Sequence, residues 1–162
     1  YIASTMSFDT NYHTMMGVSP RDALNTLSGW GLTAIGANCG NGTAEIEVIM
    51  TQMAQYRPSG VYLISQSNAG LPEYVDGEIQ YGGTPAVMVE YALKMRDLGI
   101  NYIGACCGST PDHIAAMREA LDAAEDDPIA GPPPLDEASA IESADSRAAR
   151  SAERRQARRV RG

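Results

Sequence analysis

The chain has 162 residues, 44% of them hydrophobic, and a formal net charge of −8 at pH 7. That length fits one domain with a real core, and the acidic balance argues against general nucleic-acid binding. No apolar run is long enough to span a bilayer, so no membrane partner is expected.

The chain opens on YIASTMSF, a strand-like run that reads as already under way. The chain is therefore expected to be the later part of a longer protein. Ser19 and Pro20 then supply an N-cap and a first helical residue. That helix is expected to turn Ala23, Leu24, Leu27 and Trp30 inward and to stop at Gly31. TAIGAN follows as a second strand, CGNG as a turn, and a helix from about Thr43. Its Ile46, Ile49, Met50 and Met53 fall on one face.

VYLIS is the third strand, and a long loop carrying NAGLP leads from it to Thr84-Pro85, the next helix start. Met88, Tyr91, Ala92 and Met95 form that helix's stripe, and Gly99 suits its C-terminus. NYIGA is the fourth strand. It runs into Cys106-Cys107, and a last helix opens at Thr110-Pro111 with Ile114, Met117 and Leu121 on its apolar face.

The charge shifts sharply towards the end. Residues 1–128 hold 5 Lys/Arg against 15 Asp/Glu, and residues 129–162 hold 7 Arg against 5 Asp/Glu. GPPP at Gly131–Pro134 marks the break, and no apolar periodicity follows it. Two regions are thus expected: a folded domain over 1–128 and a disordered, solvated, Pro/Ala/Arg-rich tail over 129–162.

Four successive βα units imply parallel strands joined by right-handed crossovers. An open doubly wound sheet and half of an eight-stranded barrel both fit. No G-x-G-x-x-G follows any strand, which weakens the nucleotide-binding sheet. A complete barrel takes about 250 residues, and the predicted units occupy half of that.

The unusual side chains all fall at the carboxyl ends of these strands: Asp9 and Asn11, Asn38 and Cys39, Gln66 and Asn68, Cys106 and Cys107. In a barrel this is the rim where active sites are built. Three cysteines are too few for a disulfide scaffold and suit a reducing cytoplasm. Converging thiolates suit zinc, whose catalytic sites keep one coordination position open. Neighbours such as Cys106 and Cys107 can share one metal only if the backbone turns sharply between them, and Gly104 and Gly108 bracket the pair. Spacing alone fits three buried core cysteines equally well.

GANCG at Gly36, SNAGLP at Ser67 and GACCGSTPDHI at Gly104 resemble the homocysteine S-methyltransferase family. The resemblance covers about residues 1–125 and matches strands five to eight of that family's barrel. MSFDTNYHTMMGVSP looks most like its bacterial betaine-type members. The resemblance implies an α/β fold, the (β/α)8 TIM barrel, of which this chain is the C-terminal half. It implies zinc as cofactor, held by Cys39, Cys106 and Cys107 as the catalytic centre. Asn68 matches a position that can fill the fourth site before substrate arrives, and Asn38 shapes the loop of the first ligand. Homocysteine and a small methyl donor are the implied partners, with methionine as product.

Two departures stand out. Ala105 replaces a common Gly, and Tyr12-His13 replaces a Gly followed by a basic residue. His13 is expected to be a surface-loop side chain and not a fourth ligand. The alternatives are a related thiol or corrinoid-linked methyltransferase, and a non-catalytic half-barrel that retains the metal site.

Overall fold

A computed structural model describes residues 1–9 and 11–124. The expected tail over 129–162, and its boundary at 128, lie outside the described residues. In chain order the elements are β1 (Ala3–Met6), α1 (Pro20–Gly29), β2 (Ala34–Cys39), α2 (Thr43–Gln55), β3 (Tyr62–Ser67), β4 (Pro72–Val75), β5 (Glu78–Tyr81), α3 (Pro85–Asp97), β6 (Tyr102–Ala105) and α4 (Pro111–Ala123). Three of the four helices begin at the Ser/Thr-Pro pairs read from the sequence. Ser19 accepts from the Asp22 N–H at 3.1 Å, and Thr84 from the Val87 N–H at 3.4 Å. Each proline then occupies a position that needs no N–H donor.

β1, β2, β3 and β6 form one parallel sheet in that order. The order never reverses, so right-handed crossovers carry the helices to one face. Burial along β3 alternates accordingly. Leu63, Ser65 and Ser67 are buried, whereas Tyr62, Ile64 and Gln66 face the other side and are less covered. The core lies between sheet and helices, with Leu24, Ile35, Ile46, Ile49, Met50 and Met88 fully buried. Burying a side chain of this size contributes about 1.5–3 kcal/mol. The architecture is α/β and compatible with half of a βα barrel.

Gly36 lies opposite Ile64 in the β2–β3 register. A Cβ there would overlap the Ile64 carbonyl and Cα, which are backbone and cannot rotate away. Gly36→Ala is therefore expected to cost about 3 kcal/mol, the upper end for overpacking a core. Thermal unfolding reads this directly, and an unchanged midpoint would contradict it.

Three sequence expectations need correction. The segment after β3 is not a plain loop, because β4 and β5 pair antiparallel from Pro72↔Tyr81 to Val75↔Glu78. Asp76 and Gly77 make its two-residue turn, both with positive φ (51° and 91°), the pattern of a type I′ hairpin. Trp30 is 74% exposed. It sits past the last turn of α1 as the C-cap, so its side chain leaves the helical stripe. Ile114 is 46% exposed, on a groove with Tyr102, Ile103 and Met117 along the open β6 edge. No helix among the described residues is long and apolar enough to cross a membrane.

Candidate metal centre

Cys39 is the last residue of β2 and pairs with Ser67 at the end of β3. Its φ is +60°, followed by Gly40 at +71°. A left-handed residue other than glycine costs about 1–2 kcal/mol, and such outliers gather at functional sites. The bend swings the Cys39 side chain off the strand and towards the end of β6. Asn38 donates from Nδ2 to the Cys39 Sγ at 3.1 Å, so it touches the sulfur as well as shaping the loop.

Cys106 and Cys107 follow β6 in a tight turn. The Ser109 N–H donates to the Cys106 carbonyl at 3.3 Å, and Gly108 takes φ +76° at the third position, as in a type II turn. That reversal lets neighbouring cysteines face one point. Their sulfurs are 3.9 Å apart, and Cys39 Sγ lies 2.8 Å from Cys106 Sγ. All three fall within 4.8 Å of one another. Two thiolates on one tetrahedral zinc, each at about 2.3 Å, stand about 3.8 Å apart. The three sulfurs could hold a metal ion, and for zinc the Cys39–Cys106 pair would have to open by about 1 Å. The three cysteines form no disulfide, and Cys107 is the exposed member.

The end of β3 staples the two cysteine loops together. The Cys106 N–H donates to the Ser67 carbonyl at 2.7 Å, and the Ala69 N–H to the Cys107 carbonyl at 2.9 Å. Asn68 is 5% exposed and uses both ends of its amide. Oδ1 accepts from the Cys107 N–H at 3.1 Å, and Nδ2 donates to the Gly40 carbonyl at 2.8 Å. Burial pushes the Cys106 thiol up to about 11, and the adjacent Cys39 and Cys107 sulfurs add to the rise.

The other rim residues are placed differently. Gln66 lies on the less covered sheet face, where its side chain comes close to Gly104. The Asn41 side chain reaches the Asp9 carbonyl at 3.3 Å, tying the first two rim loops together. His13 is buried at 4% exposure, contrary to the surface position expected of it, because its Nδ1 turns back to the Asn11 carbonyl at 2.8 Å. It is not a member of the cysteine cluster.

Two residues near the cluster escaped the sequence reading. His113 accepts at Nδ1 from the Thr110 N–H at 3.1 Å, which leaves Nε2 as the donor to the Gly83 carbonyl at 2.9 Å. It thereby links the start of α4 to Gly83, whose N–H in turn reaches the carbonyl of Ala69, next to Asn68. Its signal was its place three residues after Thr110, where a capping side chain belongs. Ser109 Oγ is buried and has no partner among the described residues.

These features define an α/β protein with three cysteines that could hold a metal ion, gathered at the carboxyl ends of its parallel strands. The family model described as homocysteine S-methyltransferase matches residues 1–121. The chain belongs to the homocysteine S-methyltransferase family.

Proposed function

We propose that this chain is the metal-binding, C-terminal half of a TIM barrel that transfers a methyl group to the thiol of homocysteine, forming methionine. The observation that carries this reading is the three-sulfur cluster raised on the ends of β2 and β6. Cys39, Cys106 and Cys107 would hold zinc. A free thiol with a pKa of about 8.5 is only about 3% thiolate at pH 7, and bound zinc supplies the positive charge that deprotonates such a sulfur outright.

The chain's own residues tune the reactivity of that sulfur. With zinc bound, three anionic cysteine ligands would leave the centre net negative, and the substrate sulfur would keep its electron density for attack. Three neutral histidines would leave it positive and favour activation of water instead. The Ser67–Ala69 staple fixes the two cysteine loops relative to each other, and with them the direction from which the sulfur is presented. The new C–S bond forms as the bond from methyl carbon to the donor breaks, and the homocysteine proton leaves to solvent. Aligning the two partners is largely a matter of positioning. Betaine or a similar small methyl donor is the proposed partner.

The half-barrel reading draws on the sheet's uncovered side. Tyr62, Tyr102 and Ile2 are exposed there and along the outer strands, and Ile114 flanks the β6 edge. Four further βα units would cover these surfaces and wall the substrate pocket. The 162-residue chain alone is then expected to bind metal without turnover.

The test uses the intact protein that carries this chain. One zinc per chain is expected, together with methionine formed from homocysteine and one of betaine, S-methylmethionine or methylfolate. Zinc-loaded protein that makes no methionine from any of the three would overturn the proposed activity.

A further inference from the structure

Tyr81 ends the β4–β5 hairpin and pairs with Pro72 at its base. The type I′ turn fixes the register of this hairpin, so Tyr81 has one place to go. Beyond it, the Gly83 N–H returns to the Ala69 carbonyl at 2.9 Å, and His113 holds the Gly83 carbonyl from the other side. The hairpin base is thus anchored to the same staple that joins the cysteine loops.

The Tyr81 side chain lies directly on Gly108, the residue after Cys107. A Cβ at Gly108 would overlap Cβ, Cγ and Cδ2 of Tyr81. Glycine is needed there for this contact as well as for its positive φ. Seated there, the phenol lies beside the cluster, and partial burial together with the Cys107, Cys106 and Cys39 sulfurs raises it above its ordinary value. A phenol beside an anionic sulfur can only donate to it. Cys107 is the exposed thiol of the three, and so the one most in need of a partner that fixes it and spreads its charge.

We propose that Tyr81 is a positioning residue of the cysteine cluster, seated on Gly108 so that its phenol O–H donates to the Cys107 sulfur. This bond holds the Cys107 side chain in the cluster and draws electron density from that ligand alone. The inference rests on the metal-binding reading above, and it gives the hairpin a direct role at the site.

Cobalt(II) loaded into the intact protein in place of zinc provides a readout independent of activity. Tyr81→Phe keeps the ring on Gly108 and removes only the O–H. In that variant the sulfur-to-cobalt charge-transfer band is expected at longer wavelength, because an unbonded thiolate is easier to oxidise. Cobalt affinity, measured against a competing chelator, is expected to fall about tenfold, as for lost partners of metal ligands elsewhere. Tyr81→Ala should show the same band shift with a further loss of affinity. A Tyr81→Phe protein with wild-type band position and affinity would overturn the role of Tyr81 and leave the metal centre standing. Failure of the unsubstituted protein to bind cobalt or zinc would overturn both.

Discussion

A Cys106→Ala variant of the intact protein is expected to lose tight metal binding and, with it, methyl transfer to homocysteine. Cys106 is the hub of the cluster, 2.8 Å from the Cys39 sulfur and 3.9 Å from that of Cys107. Zinc sites of four protein ligands are worth about 10–16 kcal/mol at neutral pH. Losing one thiolate should cost on the order of 3 kcal/mol, or more than about a hundredfold in affinity. The fold should survive, because Cys106 is held in the turn by its backbone bond to Ser67. Metal content and circular dichroism on the same sample separate the two effects. A Cys106→Ala protein that retains full activity would falsify the proposed centre.

Asn68→Ala is expected to weaken metal binding about 10- to 100-fold, the usual cost of removing a group that orients metal ligands. The amide joins Gly40 and Cys107 from a buried position, so the change releases one loop from the other and removes two part-buried hydrogen bonds. Each such bond contributes about 0.5–1.5 kcal/mol. The experiment also separates this strut from the role implied by resemblance, a fourth ligand displaced by substrate. A strut matters whether or not homocysteine is bound, whereas a displaceable ligand matters only in its absence. Affinities measured with and without saturating homocysteine decide between them, and a defect that vanishes with homocysteine would favour the ligand.

Much of the fold is legible along the chain because it rests on local chemistry. Ser19-Pro20, Thr84-Pro85 and Thr110-Pro111 mark helix starts by capping and by proline's fixed φ, and those helices begin there. The stripe Ile46, Ile49, Met50 and Met53 needed only helical period to be placed in the core. The hairpin was legible too, in Asp76-Gly77 between residues of alternating polarity, but its strands are short and exposed. Trp30 and Ile114 were misplaced because periodicity says which side of a helix a residue is on, and not where the helix stops or whether a neighbour covers that side. At the site, the sequence supplied the three cysteines and Asn68. It did not supply the left-handed Cys39, the double use of the Asn68 amide or the Tyr81 ring on Gly108. Each of these depends on strands far apart in sequence meeting at one rim.

The two sulfurs closest together come from residues 67 positions apart, with all of β3 and its hairpin between them. A bound ion gripping both would act as a clasp across that span. A covalent link closing a loop of such length restricts the unfolded chain by about 4 kcal/mol, and an ion that only the folded rim can grip has a comparable leverage. Cofactor supply would then govern how long the protein persists as well as how fast it works. In a metal-starved cell the rim would unlatch first and offer its cysteine loops to proteases, while the helix-backed side of the sheet still held.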